Sequence, residues 1–180
     1  VPTDDANGDV PINSFKENFK GVISFIGIDQ QTGGMDLSFQ IEAPGINFDL
    51  SHAGKKKSGD WFFFSCYNSE KANTLLEVNA SQNDKDFIMA VNWKKAAELV
   101  KAGKGRKVTT EYAHNTWDES THSATSTMKK EVVVLSVEDM KDAMFMIPCP
   151  KSPHGCDVDP TGEYIVGSGK LAALIPVFSF

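Results

Sequence analysis

At 180 residues with 41% apolar and 10% aromatic content, the chain can bury a core and falls among globular rather than disordered sequences. Its 24 acidic against 18 basic side chains give a net charge of −6, which excludes the clustered Lys and Arg face that tracks nucleic-acid phosphates. Apolar runs such as 132–135 and 171–178 fall far short of the roughly 18–20 residues that cross a bilayer, so no membrane span is expected.

The chain opens Val1-Pro2-Thr3-Asp4-Asp5, without an initiator Met, a basic stretch or the apolar segment of a signal peptide. Any targeting peptide is therefore expected to lie outside it. The first strand signal is Gly21-Val22-Ile23-Ser24-Phe25-Ile26-Gly27-Ile28, rich in β-branched and aromatic residues and closed by the polar run 29–34. The same grammar recurs at 35–41, 61–67, 86–91, 131–137, 163–166 and 171–178. Residues 93–104 break it: Ala96, Ala97, Leu99 and Val100 stand at helical spacing, with Asn92 as N-cap and Gly103 as the stop. That predicts one short surface helix.

Two stretches read as loops. Residues 54–60 carry Lys55-Lys56-Lys57, the pattern of a solvated loop tip, and 106–130 form a long polar tract rich in Thr and Ser. Toward the end, residues 155–168 give a strand, the turn Pro160-Thr161-Gly162 and a second strand in succession. Pro160 fixes φ there and Gly162 supplies the positive φ that reverses the chain. Many short strands with one helix predict an all-β fold, and a sandwich, a barrel and a radial propeller all satisfy the pattern. No exact repeat chooses among them.

Three cysteines, Cys66, Cys149 and Cys156, are too few for a disulfide scaffold and read as buried small hydrophobes. The four histidines, His52, His114, His122 and His154, show no spacing that makes a metal site by itself. His114 and His122 share the polar tract, and His52 reads as a surface residue at a strand end. His154 stands between Pro153 and Gly155, where its ring can be presented at a strand entrance. It reads either as a ligand or as a hydrogen-bonded turn histidine.

Neither a Gly-rich phosphate loop, a Gly-x-Ser-x-Gly elbow nor a His-Glu-x-x-His helix is present, which removes the common nucleotide, esterase and zinc-protease classes. Glu70, Asp84 and Asp86 bracket an Asn- and Ser-rich segment, a set of oxygen donors that calcium accepts and that an ordinary acidic loop also provides. Asn79-Ala80-Ser81 matches a glycosylation acceptor, a triplet that arises by chance in most chains.

These stretches together resemble a known family. The run Ser65-Cys66-Tyr67-Asn68-Ser69-Glu70, the strand from Asp86 to Asn92 and the helix ending Val100-Lys101-Ala102-Gly103 resemble, in order and distance, segments of the nitrous oxide reductases. So do Ser152-Pro153-His154-Gly155-Cys156 and Gly169-Lys170-Leu171. The likeness is clearest over 61–92 and 145–171; residues 1–60 and the polar tract match weakly.

The resemblance implies an internal fragment, residues 1–180, covering about three blades of a seven-bladed β-propeller. In that family the propeller holds a tetranuclear copper–sulfide cluster on seven histidines, and His154 matches the Pro-His-Gly ligand. It also implies calcium bound through the Tyr67 carbonyl, Glu70 and Asp86, with Asp84 as the rival aspartate. Ser152 replaces the family's Asn and is a weaker calcium ligand. The intact family member reduces nitrous oxide to dinitrogen and water, works in the periplasm as a homodimer, and takes electrons from a cytochrome or cupredoxin donor. They arrive through a binuclear-copper, cupredoxin-like domain that this sequence lacks. The fragment alone is expected to be inactive. The rival expectation is a non-enzymatic propeller that acts as an interaction module with a structural calcium site.

Overall fold

A computed structural model describes residues 21–28, 31, 35–43, 47–67, 86–118, 123–149, 153–169 and 173–180. These form eleven strands: β1 Gly21–Ile28, β2 Met35–Ala43, β3 Asn47–Ala53, β4 Trp61–Tyr67, β5 Phe87–Asn92, β6 Arg106–Asp118, β7 Ser123–Leu135, β8 Met144–Pro148, β9 Pro153–Val158, β10 Tyr164–Gly169 and β11 Val177–Ser179. One α-helix, α1, spans Trp93–Lys101, and a single 3-10 turn spans Lys56–Ser58. The expected all-β architecture with one short helix is what forms among the described residues.

The strands make three sheets. The central one runs β3-β4-β5-β8 with every neighbour antiparallel. A second, β9-β10-β11, is an up-and-down meander, whereas β6 and β7 of another sheet intervene in sequence between β5 and β8 of the first. The third, β1-β2-β7-β6, joins two hairpins through a short parallel ladder of Phe39, Gln40 and Ile41 against Val133, Val134 and Leu135.

β5 explains how the sheets stack. Its residues Phe87 to Val91 are all buried, because alternate side chains enter different cores. Phe87, Met89 and Val91 join Phe39, Ile41 and Leu135 of the third sheet, together with Ala96 of α1. Ile88 and Ala90 point the other way, onto Val158 and Ile165 of the second sheet. A strand covered on both faces reads as a continuous apolar run, and this one does. β4 divides its residues in the same manner, with Cys66 in the first core and Phe63 in the second. Phe180 closes the second core edge-on against Trp61 and Phe63, at ring distances of 5.1 and 5.7 Å.

α1 forms as its termini predict. The Asn92 side chain accepts from Lys95 N–H at 2.8 Å, and Gly103 takes φ +78° just past the end, where its N–H and that of Lys104 reach back to Val100 and Leu99.

Three expectations require correction. Over its described residues the tract 106–130 is no loop: β6 and β7 pair from Arg106–Val134 to Asp118–Ser123 as one long hairpin, with a register shift between His114 and Trp117. Its Val108, Thr109, Thr110, Tyr112 and Trp117 are β-branched or aromatic, the residue types enriched in strands. The strand expected over 171–178 is confined, among its described residues, to Val177 and Phe178, with Ser179 completing β11; Pro176 lacks the N–H that a ladder needs.

The Lys55–Lys57 stretch is also more than a solvated tip. Lys55 Nζ donates to Val158 O at 2.7 Å, Lys57 N–H to Thr161 O at 3.3 Å, and Lys57 Nζ to Glu163 at 2.8 Å. The loop is docked on the β9–β10 turn. That turn has the expected form, with Gly162 at φ +76°.

Candidate functional site

β3 and β9 are edge strands of different sheets, yet they lie side by side. A β-bulge in β3 decides what meets across the seam. Phe48 pairs with Cys66 and Ser51 with Phe64, so Asp49 and Leu50 together oppose the single residue Ser65. The ladder breaks there, and the buried Ser65 hydroxyl repairs it by accepting from Leu50 N–H at 3.1 Å and donating to Leu50 O at 3.2 Å. The extra residue re-aims Asp49 toward β9.

What Asp49 meets is His154, the second residue of β9, with Nδ1 2.7 Å from Asp49 Oδ2. The ring N–H donates to the carboxylate, which fixes the imidazole's tautomer and orientation and makes Nε2 the nitrogen that would carry a metal. The sequence placed His154 at a strand entrance, and it stands there. Its carboxylate partner, 105 positions earlier, carries no signature in the sequence.

A second histidine–carboxylate pair crosses the same seam. His52 Nε2 lies 2.9 Å from Asp157 Oδ1, and its Nδ1 lies 2.7 Å from Ala53 O. His52 thus sits near the end of β3 as expected, but with both ring nitrogens engaged rather than solvated. Lys55 Nζ adds a looser contact to Asp157 at 3.9 Å.

The thiols nearby are not anionic. Burial pushes Cys149 and Cys156 up to about 11, and burial pushes Cys66 higher still. Cys156 Sγ donates to Phe63 O at 3.5 Å. The donors at this seam that coordinate a metal without first losing a thiol proton are imidazole and carboxylate. At pH 8 a thiol titrating near 11 is about one part in a thousand thiolate. Cys66 and Cys149 are therefore expected to resist iodoacetamide in the native protein and to react on adding denaturant. Mass spectrometry of the labelled peptides checks this, and rapid native labelling of Cys66 would contradict its burial.

The residues expected to hold calcium are described only in part. Tyr67 ends β4, and Asp86 immediately precedes β5. Because Cys66 pairs with Phe87, Tyr67 and Asp86 come together at the same end of the central sheet. Asp86 is buried, and its carbonyl accepts from Cys149 N–H at 2.9 Å. Glu70, Asp84 and Ser152 lie outside the described residues, as do His122 and Asn79. Among the described residues no group of three or more His, Cys, Asp or Glu could hold a metal ion.

No family model matches the chain. Over 147 residues, 81% of the chain, it is 31% identical to a nitrous-oxide reductase of Pseudomonas fluorescens and spans 20% of that protein. The corresponding protein of Stutzerimonas stutzeri is 29% identical over 147 residues, with 19% of its length spanned. The chain thus covers about a fifth of the curated relatives it matches. It is a distant relative of one part of the nitrous-oxide reductases.

Proposed function

We propose that this chain forms part of the copper-bearing propeller of a nitrous oxide reductase, and that His154 is one of its copper ligands. The observation that carries this reading is the Asp49–His154 pair. A carboxylate on Nδ1 is the usual outer-shell support of a metal-bound histidine. Neutral imidazole is a fitting donor for copper. Two antiparallel sheets packed face to face are what adjoining blades require.

One imidazole cannot hold a four-copper cluster, so further ligands come from the rest of the full-length protein. When bound, that cluster would pass two electrons from the donor to nitrous oxide, which with two protons from solvent gives dinitrogen and water. His154 serves as a ligand and moves no proton. Asp49 orients it. Tyr67, Asp86, Glu70 and, more weakly, Ser152 supply oxygen donors for calcium beside it. The intact protein takes electrons from a cytochrome or cupredoxin and works as a periplasmic homodimer. This piece alone is inactive.

His154→Ala in the full-length protein tests the reading. It is expected to lower the copper-to-protein ratio and abolish the cluster's visible absorption while leaving the far-UV circular dichroism unchanged. Wild-type copper content and absorption in that variant would overturn it.

A further inference from the structure

The two histidine–carboxylate pairs form a pattern. Asp49 and His52 are three residues apart in β3, and their partners His154 and Asp157 are three apart in β9, taken in the same direction. The histidine sits on β9 in the first pair and on β3 in the second. β3 and β9 belong to different sheets, so side chains carry their alignment: Asp49 on His154, Cys156 Sγ toward Leu50 O at 3.9 Å, His52 on Asp157, and Lys55 Nζ on Val158 O. A slip along this seam would take Asp49 away from His154.

We propose that His52 is a positioning residue, which with Asp157 fixes the register of β3 against β9 and thereby holds Asp49 on the His154 ring. This rests on His154 being a copper ligand. His52 suits the task because it is tied at both ring nitrogens, to its own strand at Ala53 O and to the opposite strand at Asp157. Both of those partners are hydrogen-bond acceptors, so the imidazolium form donates to both at once and the neutral ring to one of them. Asp157 is largely exposed, at 72% of its side-chain surface, and exposed pairs contribute little to stability. The bridge therefore acts on geometry: its loss leaves the fold standing and loosens what the seam aligns.

The test uses the full-length copper-loaded protein and measures copper release to bicinchoninate, the visible absorption and the melting temperature. His52→Ala is expected to release copper about tenfold faster, the lower end of what outer-shell changes produce, with a shifted absorption band and little change in melting. His52→Gln, whose amide N–H can reach Asp157, should restore most of the wild-type rate. Asp157→Ala should match His52→Ala, and the double variant should be no worse than either. Leu37→Ala, in a separate small core, serves as a variant that lowers melting away from the seam.

If His154→Ala strips copper while His52→Ala and Asp157→Ala release it at the wild-type rate, the positioning role is wrong and the copper reading stands. Release that tracks melting temperature alone, with Leu37→Ala on the same line, assigns His52 a merely structural part and also overturns the inference. If His154→Ala itself keeps its copper, both proposals fall together.

Discussion

Gly162→Ala is expected to destabilise the protein by about 2–5 kcal/mol, the sum of a left-handed backbone penalty and forced overpacking. Gly162 holds φ +76°, and a Cβ there would stand well inside contact distance of Lys55 O and against Lys57 N. Neither neighbour can give way. The Lys55–Lys57 segment is pinned to the turn by Lys57 N–H on Thr161 O and by Lys55 Nζ on Val158 O.

The turn itself is stiffened from within. The Asp159 carboxylate accepts from Thr161 Oγ1 and from the backbone N–H groups of Thr161 and Tyr164, at 2.7 to 3.0 Å. The Thr161 hydroxyl bond, followed by the Tyr164 N–H, holds that carboxyl down at about 2. Gly103 supplies the control. It has nearly the same φ, +78°, but nothing lies within 4 Å of the position a Cβ would take. Gly103→Ala thus isolates the backbone term, about 1–2 kcal/mol. Urea denaturation followed by tryptophan fluorescence compares them, and equal losses would mean that the lysine loop is not docked on the turn.

The Gly162 contact also illustrates what the sequence could reveal. The need for glycine at that turn was legible from Pro160-Thr161-Gly162, since the turn type demands a positive φ. Its tertiary partner was not, because no local pattern links residue 162 to residue 55. β5 was legible because a strand buried on both faces leaves an unbroken apolar run. The β6–β7 hairpin was missed for the opposite reason: where Thr, Ser and charged residues outnumber apolar ones, hydrophobic periodicity falls silent and only strand propensity remains. β3 and β8 escaped notice for related reasons. β3 carries a bulge that spoils its alternation at Asp49 and Leu50, and β8 is a short edge strand with Phe145 and Met146 largely exposed. At the candidate site, Pro153 and Gly155 marked His154 as unusual. The carboxylate that orients it, and the His52–Asp157 bridge beside it, arise only when two sheets meet.

With His154 a copper ligand as proposed, Asp49→Ala is expected to weaken copper binding by roughly 10–100-fold while leaving every metal ligand in place, as the loss of an outer-shell carboxylate does. The ring of His154 is partly exposed, so packing alone does not hold it, and the 2.7 Å bond from Nδ1 sets both its tilt and its tautomer. Removing the carboxylate allows the ring to turn and the proton to move to the other nitrogen, the one a metal would need. Asp49→Asn separates the two contributions. Its amide oxygen still accepts from Nδ1–H and preserves the tautomer, but without the negative charge that makes the imidazole a stronger donor. Chelator competition on the full-length protein should therefore rank the affinities wild type, Asp49→Asn, Asp49→Ala. If Asp49→Ala binds copper as tightly as wild type, the carboxylate does not tune a ligand, and the bulge that aims it at β9 serves the sheet junction alone. If Asp49→Asn falls as far as Asp49→Ala, charge rather than orientation is what the carboxylate contributes.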